Sequence, residues 1–202
     1  INVCRQIVAE LAPRLQNEIL LCSEQHKHLT KRLARVVQRV VDRLGAFDRV
    51  SKFKPVALEQ SFGSQDGWPP LTYKLDDNVL LELTGQIDRL DVAEYNGDTY
   101  IMVIDYKSGG AWLSLNEVYY GLQLQLLVYL LVACARGRQL AGRDTCYPAG
   151  ILYCYLRDPV FTGNSFLNED QVAAKVNSML KMPGWVLDSR EIVRLIDTTI
   201  EG

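Results

Sequence analysis

Asn96-Gly97 sits between two apolar runs, 79–93 and 100–106, and constrains the fold more than any other pair in the chain. Asn and Gly tolerate the left-handed backbone needed at both positions of a two-residue hairpin loop, so the pair is the strongest local signal for an antiparallel turn. A two-residue loop sets the register. Counting back from it, Tyr95 faces Asp98 and Asp88 faces Asp105. Cross-strand partners bring Cβ atoms to roughly 4.5–5.5 Å, where like charges destabilise the pair, so a positive group belongs between the two aspartates. Magnesium or manganese, hard cations that take carboxylate oxygens and keep several waters, meet that need.

Lys107 follows Asp105 by two residues, and alternation along a strand puts its ammonium on the face that carries both carboxylates. Two aspartates holding a cation that polarises a phosphate and acidifies water form a hydrolytic site, with the lysine orienting that water or stabilising developing negative charge. The plainer reading of an Asp-x-Lys pair is a salt bridge on a wet sheet face. Against it stand the unalternating apolar run 100–104, which reads as buried, the opposed Asp88, and Ser108-Gly109-Gly110, which ends the strand where a substrate can approach. Arg89 and Asp91 have the other parity and are expected to pair with each other on the opposite face.

Around this hairpin the pattern predicts one α/β domain. Apolar spacing gives one or two helices over 3–21, interrupted at Pro13, and a clearer helix capped by Ser23 and stopped at Gly45. The stripe Leu29, Leu33, Val36, Val37, Val40, Val41 and Leu44 is expected to pack firmly on a core. Strand-like runs at 56–62, 71–75, 79–93 and 100–106 read as an antiparallel meander. They are followed by a single apolar helix over 115–135, a buried strand at 148–156, and helices near 168–180 and 189–196. The division expected is a helical lead-in at 1–50, a catalytic core at 51–160 and a helical tail at 161–202. The first residue, Ile1, stands in what reads as mid-domain sequence, so the chain is expected to be a fragment of a longer one.

A net charge of −2 excludes a protein that holds nucleic acid by overall charge, so basic contacts must be sought locally. One row qualifies: Lys27, Lys31, Arg35, Arg39 and Arg43 recur at steps of four on the second helix, either as a solvated face or as a path for DNA phosphates, with Lys31, Arg35 and Arg39 at its centre. The five cysteines, Cys4, Cys22, Cys134, Cys146 and Cys154, are scattered with no CxxC pair, as expected of reduced cysteines in a cytoplasmic protein. The richest apolar stretch, 122–135, is interrupted by Gln123 and Gln125, so no membrane span is expected.

Gln125 and Tyr129 lie four apart on one helix face, placed either for hydrogen bonding within the core or to reach the acidic site and a nucleic-acid strand. Gln123 occupies a different face. Glu59, in another strand, either joins the site or pairs with Lys107. His26 and His28 lack a third ligand at metal spacing and read as surface residues.

The segments SKFKP at 51–55, EQSFG at 59–63, GQIDRLD at 85–91, IDYKSG at 104–109, YYGLQLQLLVYL at 119–130 and GWVLDSREIVRLID at 184–197 form an ordered set. Together they resemble the PD-(D/E)XK nucleases of the RecB type, and within these the carboxy-terminal nuclease domain of AddB-type helicase–nuclease subunits. The resemblance implies a restriction-endonuclease-like α/β core, a central mixed sheet of about four to five strands flanked by helices. It also implies that Asp88, Asp105 and the Ile104 carbonyl hold the metal, that Lys107 is the catalytic lysine, and that Gln125 and Tyr129 form a QxxxY motif. The activity implied is metal-dependent cleavage of DNA, as an exonuclease on single strands, alongside an AddA-type subunit at broken DNA ends. Two features of the family have no counterpart in the chain. Its helix histidine is expected upstream of Ile1, and none of the five cysteines fits the pattern of its four-iron, four-sulfur cluster, which is expected to be absent here. The rival readings are a silent module that holds DNA or partner subunits, and a Cas4-like exonuclease.

Overall fold

The structure is a computed structural model, and it describes residues 2–14, 23–110, 113–137, 145–157, 168–179 and 181–200. At its centre, β4 (Gly85–Tyr95) and β5 (Asp98–Lys107) pair antiparallel without a register shift from Tyr95–Asp98 to Arg89–Ile104. Asn96 and Gly97 both take positive φ, 52° and 89°, which is the backbone a two-residue primed turn requires. The register counted from the sequence is the one observed.

The sheet grows outward from this hairpin. β1 (Lys54–Phe62) pairs antiparallel with the far edge of β4, shifting register between Pro55 and Ala57. β6 (Cys146–Tyr155) lies beside β5, and β7 (Gly184–Val186) closes the other edge, giving the order β1-β4-β5-β6-β7 in a mixed five-stranded sheet. The expected meander is corrected here. β2 (Leu71–Lys74) and β3 (Leu80–Leu83) form a separate two-stranded sheet, because the nine-residue β1 takes the place beside β4 that a meander would give them. β7 falls in the tail expected to be helical. A Cβ at Gly184 would collide with the backbone oxygen of Ile151, so the absence of a side chain lets this short strand close on β6.

The helix expected over 115–135 is two helices, α3 (Leu115–Tyr119) and α4 (Gln125–Ala135). Gly121 at φ 76° ends α3, with its N–H donating to the Val118 carbonyl and the Leu122 N–H to that of Glu117. This is the left-handed stop that glycine favours. α4 packs against β5, and Leu126 and Val132 join Phe62, Ile87, Leu90, Ile101, Val103 and Ile151 in the core. Each such fully buried side chain contributes about 1.5–3 kcal/mol. α6 (Arg190–Ile196) is capped by Ser189, whose Oγ accepts from the Ile192 N–H.

The described chain divides into two compact units. The sheet, α3, α4 and α6 belong to one of them. The other contains α1 (Asn2–Leu11), a 3₁₀ turn at Ala12–Arg14 where Pro13 interrupts the helix, most of α2 (Glu24–Val50) and α5 (Glu169–Met179). Ser23 caps α2 through the His26 N–H at 3.3 Å, but α2 runs through Gly45 to Val50 rather than stopping there. Gly45 is not among the residues with positive φ, and a helical glycine costs only about 1 kcal/mol relative to Ala. The α2 stripe is also less buried than expected: Leu29, Leu33, Val37 and Val41 are 40–50% exposed, and of the stripe only Val40 is buried. No helix among the described residues is long and apolar enough to cross a membrane.

Candidate active site

Where the ladder of paired residues in the β4–β5 hairpin ends, the next rung carries two acids. Asp88 follows Arg89 down β4 and Asp105 follows Ile104 along β5. The half-buried Asp88 turns its Oδ2 to accept the backbone N–H of Tyr106 at 2.7 Å. Asp105 is 2% exposed. Burial pushes its carboxyl above the usual carboxylate range, the Asp88 charge adds to that rise, and Lys107 partly offsets it.

Lys107 lies on the same face, with Nζ 2.9 Å from Asp105 Oδ2. The contact is a close ion pair without hydrogen-bond alignment, and it leaves that buried oxygen with no hydrogen bond among the described residues. Burial pulls the ammonium pKa down, but the close contact with the Asp105 carboxylate, helped by Tyr153 and Asp88, outweighs it and holds the group above the ordinary lysine value. Lys107 Nζ donates to Gln125 Oε1 at 2.9 Å, and Gln125 Nε2 donates to the Tyr129 hydroxyl at 3.0 Å. Gln125 stands exposed at the first turn of α4 rather than within the core. Tyr129 is fixed from below by Phe62, ring edge to ring face at 5.9 Å. Gly85 lies close beneath both rings.

The remaining residues sort by parity. Arg89 and Asp91 form the expected pair on the other side of β4, with Nε–Oδ1 at 2.6 Å and Nη2–Oδ2 at 2.7 Å, both buried. Glu59 falls on the rung of Asp88, in the gap between Leu58–Arg89 and Gln60–Ile87, with φ 51°. Its carboxylate accepts from Gln86 Nε2 at 2.9 Å and is not paired with Lys107. Gln86 is a neighbour that the sequence pattern did not single out, although it shares the parity of Asp88. Ile104 is fully buried, one residue before Asp105. Gln123 accepts from the Ser114 N–H at 3.2 Å and braces the α3–α4 connection. Lys31 and Arg35 are exposed and Arg39 half-buried, all three on α2 in the other unit. His26 Nδ1 lies 2.7 Å from the capping Ser23 Oγ.

Comparison with known proteins decides what this arrangement is related to. A family profile for the PD-(D/E)XK nuclease superfamily matches residues 2–198. The chain belongs to that superfamily. Among curated relatives, the ATP-dependent helicase/deoxyribonuclease B subunit of Bacillus pumilus (strain SAFR-032) is 39% identical over 202 residues, all of this chain. The B subunits of the same name from Bacillus subtilis (strain 168) and Desulforudis audaxviator (strain MP104C) are 40% and 42% identical, each over 96% of the chain. The chain spans 17% of the length of each of these relatives.

PD-(D/E)XK nucleases generally use divalent metals. Among the described residues no three His, Cys, Asp or Glu side chains converge at metal spacing. Asp88 and Asp105 occupy the rung that follows Arg89–Ile104 on β4 and β5, and carboxylate oxygens are the donors a hard divalent cation takes, one or two sufficing for an ion that keeps its waters. The pair therefore fits a hard divalent cation. The described cysteines do not fit an iron–sulfur cluster: Cys4, Cys134, Cys146 and Cys154 are scattered and form no disulfide, burial pushes the Cys134 thiol up to about 11, and Cys22 lies outside the described residues.

Proposed function

We propose that this nuclease domain hydrolyses DNA phosphodiesters with magnesium, or manganese in its place, acting as an exonuclease on single-stranded DNA. The observation that carries the reading is the grouping of Asp88, Asp105, Lys107 and Gln125 about one sheet face, with Asp105 buried against the Lys107 ammonium. Asp88, Asp105 and the Ile104 carbonyl are the groups that would hold the ion, which supplies positive charge against the scissile phosphate and makes water more acidic. Lys107 presents its ammonium where negative charge grows on the phosphate. Gln125 fixes the direction of that ammonium, Tyr129 fixes Gln125, and Glu59 with Gln86 lines the approach beside Asp88. Lys31, Arg35 and Arg39 form a basic row of their own on α2 that offers cations to DNA phosphates.

The similarity to helicase/deoxyribonuclease B subunits supports a wider setting: a cytoplasmic helicase–nuclease complex with an AddA-type subunit, working on double-strand breaks for repair and recombination. The experiment is cleavage of an end-labelled single-stranded oligonucleotide with magnesium or with EDTA, by the parent and by Asp105→Ala. Metal-dependent cutting that Asp105→Ala abolishes, with an unchanged circular dichroism spectrum, supports the reading. Binding without cutting in the parent, at any divalent concentration, makes the domain a DNA-holding module instead.

A further inference from the structure

Tyr153 meets the site through Lys107. It comes from β6, is 5% exposed, and packs in the same core as Leu90, Val103 and Leu126. The Lys107 ammonium stands over its ring, 5.8 Å from the centroid. β6 lies beside β5 in the sheet, so the ring and the ammonium are presented by adjacent strands and not by a loop.

The geometry around Lys107 gives this contact its meaning. Lysine carries a point charge on a four-carbon stem with about 2 kcal/mol of rotamer entropy. Asp105 Oδ2 and Gln125 Oε1, each 2.9 Å from Nζ, hold the tip from two directions. Two contacts leave the tip free to swing about the line between them. A third, from the ring, removes that freedom. An aromatic face attracts a cation as a whole through its quadrupole rather than through one aligned N–H, so it restrains the ammonium while leaving its donors to the amide and a phosphate oxygen. A buried aliphatic residue would fill the same space without that attraction.

We infer that Tyr153 is a positioning residue for Lys107, its ring fixing the ammonium above the sheet at the height set by Asp105 and Gln125. The catalytic consequence rests on the nuclease reading, whereas the contact does not, and the test separates them. In protein labelled with ¹³C at the lysine ε carbons, the Lys107 ε-methylene signal, assigned by its disappearance in Lys107→Arg, lies upfield of the other lysines because the ring shields it. Tyr153→Phe keeps that shift and keeps cleavage within about twofold of the parent, since the ring face remains. Tyr153→Leu returns the signal to the ordinary lysine position and lowers kcat by about ten- to a hundredfold with KM for the oligonucleotide little changed, the signature of a misplaced group.

An unshifted Lys107 signal in the parent, assigned against a Lys107→Arg protein whose circular dichroism spectrum is unchanged, overturns the inference. So does Tyr153→Leu with parental kcat. A shifted signal that Tyr153→Phe retains and Tyr153→Leu loses, in a protein that cuts no DNA, supports the contact and sinks the nuclease reading alone.

Discussion

Lys107 on β5 and Gln125 on α4 are joined by a 2.9 Å hydrogen bond, Nζ to Oε1, across the crossover that links two neighbouring strands. The bond ties the first turn of α4 to the candidate site. Gln125 is exposed, so its loss removes little packing. Gln125→Ala is expected to lower the cleavage rate by about ten- to a hundredfold while changing stability by no more than about 1 kcal/mol. Tyr129→Phe, which removes only the acceptor for Gln125 Nε2, has the smaller effect on rate. Single-turnover cleavage and thermal melts of the two variants check this, and a Gln125→Ala variant cutting at the parental rate would remove Gln125 from the mechanism.

Asp105 is expected to trade stability for function. Burial, with help from the Asp88 charge, raises its carboxyl above the value it has in the unfolded chain. A raised carboxyl binds its proton more tightly in the folded state, so the ionised form costs stability above the folded value and that cost disappears as pH falls below the ordinary carboxylate value. At pH 7 with chelator, Asp105→Asn should therefore be more stable than the parent, by a few tenths to about 1 kcal/mol on the scale of opposed like charges. The difference should close as the pH is lowered through the carboxylate range. Denaturant melts at pH 7 and pH 4 measure it. A less stable Asp105→Asn at pH 7 would mean that the ion pair with Lys107 outweighs burial.

Gly85 supports the site indirectly. A Cβ there would stand 3.0 Å from two atoms of the Phe62 ring and 3.4 Å from Tyr129 Cε1. The rings must give way by a few tenths of an ångström, and a buried ring packed edge to face has little room to do so. Gly85→Ala is expected to destabilise by about 1–3 kcal/mol and to reduce cleavage by moving Tyr129 and with it Gln125. Trimming the obstruction in Gly85→Ala/Phe62→Leu should cost less than the two single changes added together, which a double-mutant cycle in urea reads directly.

The hairpin that builds this site was legible because its information is local. Asn96 and Gly97 set the turn, the turn set the register, and parity then put Asp88, Asp105 and Lys107 on one face and Arg89 with Asp91 on the other. What was hidden depends on contacts distant in sequence. β1 displaces β2 and β3 from the edge of β4, a competition between strands that alternation cannot rank. Gly121 could be read as one more small residue in a helix until its φ of 76° showed a stop. Tyr153 meets Lys107 only because β6 returns beside β5 after a crossover, and no hairpin loop fixes that register.

Arg89 and Asp91 test the parity argument from the other side. Arg89 lies next to Asp88 in sequence, yet its bidentate pair with Asp91 is buried, Arg89 at 7% and Asp91 at 0% exposure. Burial alone would pull the guanidinium pKa down; Asp91, with Tyr106, more than reverses this and holds it above its ordinary value. Asp91→Ala strands that cation in the interior and is expected to cost about 3–5 kcal/mol. Replacing both, as Arg89→Met/Asp91→Leu, removes the stranded charge and should recover most of the loss. Because neither side chain faces the carboxylates, the double variant should keep near-parental cleavage per folded molecule, whereas the equally adjacent Asp88→Leu should abolish it. Loss of cleavage in a double variant that melts like the parent would place the pair within the active site and break the assignment of faces on which the site is built.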